Sequence, residues 1–247
     1  MTQDNRSVVI DVGLESLASS TTSLRDSIFE YRLENGRTYH QYKDGAAVGR
    51  VLDVGTGTGI WALDFGDKHP ESEDLAIDLS PTLPAYVPPN VRFEVDEAED
   101  PWTYSLPFQY IHSRILSSGL SDWKKYLRKC YDNLEPGGWV ELQEVDLYPT
   151  SDDATLRPEA SNKFGRPFFR IAPLKDATME VGFADVSMTV TKWPSNAWPR
   201  DRKWKEIGMW NGENTMNGLG GFSMAALTRG HGWTREEGRK PDKDATA

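Results

Sequence analysis

Apolar positions along this chain follow two alternating periods. Residues 50–54 (RVLDV) form a short apolar run that reads as a buried strand and leads into Gly55. Residues 60–67 carry the spacing of a helix. Further strands are predicted over 74–78, over 91–95 behind the Pro88-Pro89-Asn90 turn, and over 108–112. Within 124–134 the apolar positions Tyr126, Leu127, Cys130, Tyr131 and Leu134 recur at helical spacing, and Pro136-Gly137-Gly138 stops that helix. Residues 139–147 (WVELQEVDL) alternate as a fifth strand. Strands interleaved with helices predict a doubly wound α/β fold around a parallel sheet.

The pattern thins after Thr150. A helix over 174–181 ends at Gly182, and 183–193 is β-branched enough for a strand. Residues 206–210 and 224–229 are compatible with helix. At the other end, residues 1–25 are rich in Ser and Thr and read as a mobile arm with a short apolar stretch at 8–12. Between 24 and 43 the chain is charged and aromatic, with a short helix that Gly36 would end.

Length and charge narrow the function. A chain of 247 residues allows one sizeable domain or two small ones and can bury a core without disulfides. Its 38 acidic and 28 basic residues leave a net charge of −10, a poor footprint for phosphate backbones, so no direct nucleic-acid partner is expected. No apolar run is long enough to span a membrane, and no signal-peptide stretch follows Met1, so the expected compartment is the cytoplasm or the nucleus. The single Cys130 excludes an internal disulfide framework, and no metal-ligand spacing is present, so no metal is expected. Cys130 itself reads as an inert core thiol.

The chemistry concentrates in Asp53-Val54-Gly55-Thr56-Gly57-Thr58-Gly59-Ile60. A strand runs into glycines at every second position and then into a helix, so the backbone can turn sharply and approach a ligand closely, with helix N–H groups open to an anionic moiety. A P-loop would need Gly-Lys-Ser/Thr at the helix start, and Gly59-Ile60-Trp61 stands there. The dinucleotide fingerprint would need its third glycine five residues after the first, where Ile60 stands. Asp53 before the first glycine suits a cationic ligand with an ammonium or sulfonium group. Asp78, at the end of the second strand, suits ribose hydroxyls. The acidic run Asp96-Glu97-Ala98-Glu99 follows the third strand and suits an adenine amino group, with Glu97 the favoured contact. All lie where parallel sheets place ligands, at the C-terminal strand ends.

These stretches (DVGTGTGIWALDF, AIDLSP, VPPNVRFEVDEAEDPW, YIHSR and LEPGGWVELQE) resemble the fungal LaeA-like class of S-adenosylmethionine-dependent methyltransferases. The resemblance extends to YRLENGRTYHQYKDG upstream and to GFADV, WPRDRKWKEIG and LTRGHGWTREE downstream. It implies a Rossmann-like sheet that binds S-adenosyl-L-methionine. Asp53 and the loop Gly55, Thr56, Gly57, Thr58 and Gly59 would surround the methionine part. Asp78 would hold the ribose with Leu79 beside it, and Asp96, Glu97 and Ala98 would flank the adenine. His112, Ser113 and Arg114 would face the acceptor. His112 is then either a general base or a histidine fixed at a strand end by hydrogen bonds. Arg114 either grips an acceptor carboxylate or pairs with one of the many acids.

The domain plan that follows is an arm over 1–24, a methyltransferase domain over 25–237 (cofactor half 45–150, acceptor half 151–237) and a tail over 238–247. Compared with the family, the connection between Tyr42 and Arg50 is short, a helical segment between Thr155 and Phe169 is abbreviated, and the family's last antiparallel strand has no counterpart beyond Glu237. That absence predicts an unpaired edge beside the fifth strand. The function implied is methylation of an oxygen or nitrogen of a small molecule in fungal secondary metabolism. The alternatives are a regulator of that metabolism working through velvet-type protein partners, and a cofactor-binding protein without turnover.

Overall fold

The computed structural model describes residues 6–12, 49–81, 84, 86–117, 119–146 and 171–225. They form, in order, β1 (Ser7–Val12), β2 (Arg50–Val54), α1 (Ile60–Lys68), β3 (Glu73–Asp78), β4 (Val91–Val95), β5 (Phe108–Arg114), α2 (Trp123–Asp132), β6 (Leu134–Glu144), α3 (Leu174–Val181), β7 (Asp185–Val190) and α4 (Arg202–Ala225). The predicted short helix before Gly36 and the stretch 226–229 lie outside the described residues.

The strands build one seven-stranded sheet in the order β4-β3-β2-β5-β6-β1-β7. Every strand pair is parallel. From β2 the chain moves outward through β3 and β4, then returns to place β5 on the other side of β2. The crevice of an open α/β sheet lies at such a reversal, at the carboxyl ends of the strands. Here it falls between β2 and β5.

One strand sits where the sequence reading put an arm. Ser7–Val12 lies between β6 and β7, with Val8 opposite Val140 and Val186, and Ile10 opposite Leu142 and Met188. Val8 and Ile10 are fully buried. The expected exposed edge beside the fifth predicted strand is therefore absent, because β1 pairs with β6 there. The physical reason is visible in SVVIDV, a β-branched run in which Val8 and Ile10, two positions apart, share one buried face. Arg6 extends the attachment: its Nε donates to the Leu134 carbonyl at 3.1 Å, and its guanidinium lies 4.3 Å from the Tyr131 ring centre.

Two helices are set by recognisable local signals. Asp122 caps α2, accepting the Lys125 N–H at 3.0 Å, and α2 buries Trp123, Tyr126, Leu127 and Cys130. Burial pushes the Cys130 thiol up to about 12, which makes it unreactive. Gly182 ends α3 in a left-handed conformation at φ 117. The predicted stop at Pro136-Gly137-Gly138 is taken instead into the start of β6, where a register shift opposite Phe108–Tyr110 absorbs it.

The sheet and α1–α3 form one compact unit, and residues 192–225 belong to a second. Within the second unit Asp201 caps α4, accepting the Lys203 and Trp204 N–H groups at 3.0 and 3.2 Å. Asn211 holds the Pro194 carbonyl at 2.9 Å. A β-carbon on Gly208 would fall 2.0 Å from the Asn196 carbonyl oxygen, so this helix keeps glycine where that segment crosses it.

Candidate active site

The glycine loop joins β2 to α1 at the reversal of strand order. Gly55, Gly57 and Gly59 have φ of 71, 59 and 76, a region that side chains other than glycine's disfavour. Two of the three also lack room for a side chain. A β-carbon on Gly55 would lie 2.5 Å from Leu116 Cδ2, and one on Gly59 would lie 2.5 Å from Phe93 Cε1. The same β-carbon on Gly57 would meet nothing within 4 Å. The tip of the loop therefore faces open space at the crevice, whereas its two ends are packed.

Asp78 ties this tip to β3. Its Oδ2 accepts the Gly57 N–H at 2.8 Å and its Oδ1 accepts the Ser80 N–H at 2.8 Å. The Ile77 carbonyl takes the N–H groups of Gly55 and Thr56 at 2.9 and 3.0 Å. A carboxylate offers about four lone-pair sites, so Asp78 keeps acceptor capacity for hydroxyl groups of a ligand. Leu79 beside it is 63% exposed, an apolar side chain at the mouth of the same crevice. Gly59 starts α1 without a side-chain cap, and no acid occupies the first turn. Those features leave the helix start suited to an anionic group.

The acidic run after β4 is organised mostly by itself. Asp96 takes the Glu97 N–H at 2.8 Å, and Glu97 takes the Glu99 N–H at 3.2 Å. Glu99 accepts both the N–H and the hydroxyl of Ser121 at 2.9 and 2.6 Å, which holds its carboxyl below the usual range. Lys129 on α2 donates to the Ala98 and Asp100 carbonyls at 2.8 and 2.7 Å. Of the run, Asp96 and Glu97 stay beside the end of β3, since the Asp96 N–H reaches the Asp78 carbonyl at 3.2 Å.

His112 and Asp53 are adjacent in register on β5 and β2. His112 Nδ1 donates to Asp53 Oδ1 at 2.7 Å, with side chains 1% and 4% exposed. The imidazole also stacks on Trp61 of α1, with ring centres 3.8 Å apart and planes 5° from parallel. That placement matches the histidine fixed at a strand end rather than one turned toward an acceptor. Asp53 Oδ2 is buried and has no hydrogen-bond partner, and so is Thr56 Oγ1. Unpaired buried oxygens are costly, and here they adjoin a loop open to a ligand. Arg114 ends β5, in register with Gln143 and partly exposed.

Two elements escaped the sequence reading. Trp61, read only as part of a helix, fixes the His112 ring. Glu144, read only as part of a strand, is fully buried and accepts the N–H groups of Leu116 and Ser117 at 2.9 and 3.0 Å. Its alternation with Val140 and Leu142 placed it on the buried face of β6 in principle. No local signal shows what it bonds. Among the described residues, no group of three or more His, Cys, Asp and Glu is placed to hold a metal ion, and no helix is long and apolar enough to cross a membrane.

A parallel sheet of this order with a glycine loop after β2 and an acid ending β3 defines a doubly wound α/β domain with a crevice at the carboxyl ends of its strands. The methyltransferase-domain family matches residues 28–188, well over half of the chain. "Methyltransferase pytC" of Aspergillus terreus is 33% identical over 280 residues, covering 93% of this chain and 86% of that protein. "Secondary metabolism regulator LAE1" of Cochliobolus heterostrophus is 37% identical over 199 residues, covering 74% and 65% of the two. "Probable methyltransferase tdiE" of Emericella nidulans is 33% identical over 201 residues, covering 76% and 63%. The chain belongs to the methyltransferase-domain family.

Proposed function

We propose that the chain transfers a methyl group from S-adenosyl-L-methionine to an oxygen or nitrogen of a small molecule in fungal secondary metabolism. The observation that carries this reading is the loop tip: Gly57 faces open space while its N–H is bonded to Asp78 at the crevice. The cofactor, when bound, supplies a methyl group on a sulfonium with a good leaving group. The protein's part is then chiefly alignment. Asp78 would accept the ribose hydroxyls while continuing to hold the loop tip, with Leu79 as an apolar wall. Asp96, Glu97 and Ala98 would border the adenine. Gly55 through Gly59, with Thr56 and Thr58, would border the methionine part, and the start of α1 would take its carboxylate. Asp53 Oδ2 would face the cationic end. His112 would act as a positioning residue that fixes Asp53 through Oδ1, and Arg114 would reach the acceptor.

Calorimetry with S-adenosylmethionine and with its demethylated product tests this. Micromolar-range binding is expected, with a sharp loss in Asp78→Ala and Gly57→Val. Absence of heat and of thermal shift with both ligands in the unaltered protein would overturn the reading.

A second reading has its own support. The LAE1 regulator is 37% identical over 74% of this chain. On that reading the protein acts in the nucleus with velvet-type partners, and the methyl acceptor is not a metabolite. Labelled cofactor incubated with an extract of the source organism separates the two. Label in a small-molecule fraction supports the enzyme. A nuclear partner without a methylated metabolite supports the regulator.

A further inference from the structure

The segment after β5 is unusually shaped. Ile115 has φ 55, a left-handed conformation that a β-branched residue adopts only when its surroundings force it. Three successive N–H groups then point at the end of β6. Ile115 donates to the Gln143 carbonyl at 2.9 Å, and Leu116 and Ser117 donate to the two carboxylate oxygens of Glu144 at 2.9 and 3.0 Å. Consecutive amides converging in this way make an anion-binding concavity. Its anion is a side chain of the protein itself.

What this concavity holds in place is the back of the glycine loop. Leu116 is the residue whose Cδ2 lies 2.5 Å from the position of a β-carbon on Gly55. Its carbonyl accepts the N–H groups of Gly119 and Leu120 at 2.8 and 3.1 Å and so leads the chain toward α2. Glu144 is thus connected to the cofactor loop by a short run of contacts: carboxylate to the Leu116 N–H, and the Leu116 side chain to Gly55. The carboxylate is fully buried and cannot touch a ligand in this arrangement.

We propose that Glu144 is a positioning residue for the cofactor site, an internal carboxylate that clamps residues 115–117 so that Leu116 backs the glycine loop. The proposal rests on the cofactor reading above and adds a residue that reading does not use. Gln in place of Glu offers one acceptor oxygen and an amide that opposes the second N–H, so the clamp fails with the side-chain volume unchanged. Charge-assisted bonds of this kind are among the stronger ones in a protein.

The clamp also has a protonation state. Burial pushes the Glu144 carboxyl up to about 7, against the lowering effect of the Leu116 and Ser117 N–H groups. From α2 the ionisable group facing it is Tyr126, whose buried phenol stays protonated because burial holds it well above its ordinary range. Its register partner on β1 is Val12, and the loop presents Leu116 and Ser117; none of these ionises near neutrality. The two-oxygen clamp is complete above about pH 7 and loses an acceptor as pH falls below it.

Two measurements on the full chain test this. Hydrogen exchange without ligand should show the Leu116 and Ser117 amides protected, with protection factors rising between pH 6 and pH 8. Glu144→Gln should lose that protection and its pH dependence. Titration with S-adenosylhomocysteine should show affinity about tenfold weaker in Glu144→Gln, and the ratio of the two affinities should narrow from pH 8 to pH 6. Leu116→Ala leaves the buried carboxylate in place and should weaken binding several-fold, which keeps the test open if Glu144→Gln does not fold. Unprotected 116 and 117 amides in the unaltered protein would refute the clamp whatever the ligand does. Wild-type affinity in Leu116→Ala, or in a folded Glu144→Gln, would refute its link to the cofactor. Protected amides in a protein that binds no cofactor would overturn the cofactor reading, and the positioning role with it, leaving a structural clamp.

Discussion

Replacing the loop glycines one at a time separates ligand contact from packing. In Gly57→Ala the new β-carbon meets no atom within 4 Å, so the cost to the free protein is backbone strain at φ 59. A left-handed L-residue costs about 1–2 kcal/mol, and the stiffer unfolded chain returns roughly 0.4–1 kcal/mol of it. The net is about 1 kcal/mol, a fall in Tm of about 2–4 °C for a chain of this size. Gly59→Ala carries the same strain at φ 76 and also drives the β-carbon to 2.5 and 2.7 Å from the Phe93 ring. Overpacking adds about 1–3 kcal/mol, so a net near 3 kcal/mol and a Tm fall of about 6–12 °C are expected. Binding should reverse the order of severity relative to stability. Gly57→Ala puts a methyl group on the open face where the cofactor would lie, and should cost at least tenfold in affinity for S-adenosylhomocysteine, about 1.4 kcal/mol. Thermal unfolding and calorimetry on both variants decide it. Wild-type affinity in Gly57→Ala would place the ligand elsewhere, and equal destabilisation by the two variants would refute the packing difference.

Asp74 provides a pH test of stability. Its carboxyl is buried beneath Gly66 of α1, neither oxygen has a hydrogen-bond partner, and burial pushes it up to about 6 from the ordinary 3.8. An acid with a raised folded-state value favours the folded state when protonated, so its penalty is absent below about pH 4 and fully present above 6. At about 1.4 kcal/mol per unit this approaches roughly 3 kcal/mol. Asp74→Asn should therefore match the unaltered protein in urea unfolding near pH 4 and exceed it at pH 8; a pH-independent difference would refute the assignment. Ile10→Ala should cost about 2–5 kcal/mol, because Ile10 is fully buried in β1. Unchanged thermal stability in that variant would return residues 7–12 to the status of an arm.

The polypeptide's own pattern carried much of this protein. Alternation between strand and helix periods placed β2 to β6, α1, α2 and α3 within a few residues, because each element's buried row is written in local spacing. The glycine loop and Asp78 were legible for the same reason. Positive φ and a strand-end carboxylate are requirements of the backbone, and they leave fixed residue types at fixed positions. Tertiary structure decided what depends on partners distant in the chain. SVVIDV is compatible with a tail or a strand, and only pairing with β6 and β7 makes it a central strand. His112 is compatible with a base or a buried positioning group. Asp53 and Trp61, 59 and 51 positions away, make it the latter geometry. Glu144 looks like any strand acid until the Leu116 and Ser117 N–H groups, 28 and 27 positions earlier, close on it. Local periodicity records which face a residue presents. It does not record which polar group waits across that face, and the choice between base, ligand and clamp is made there.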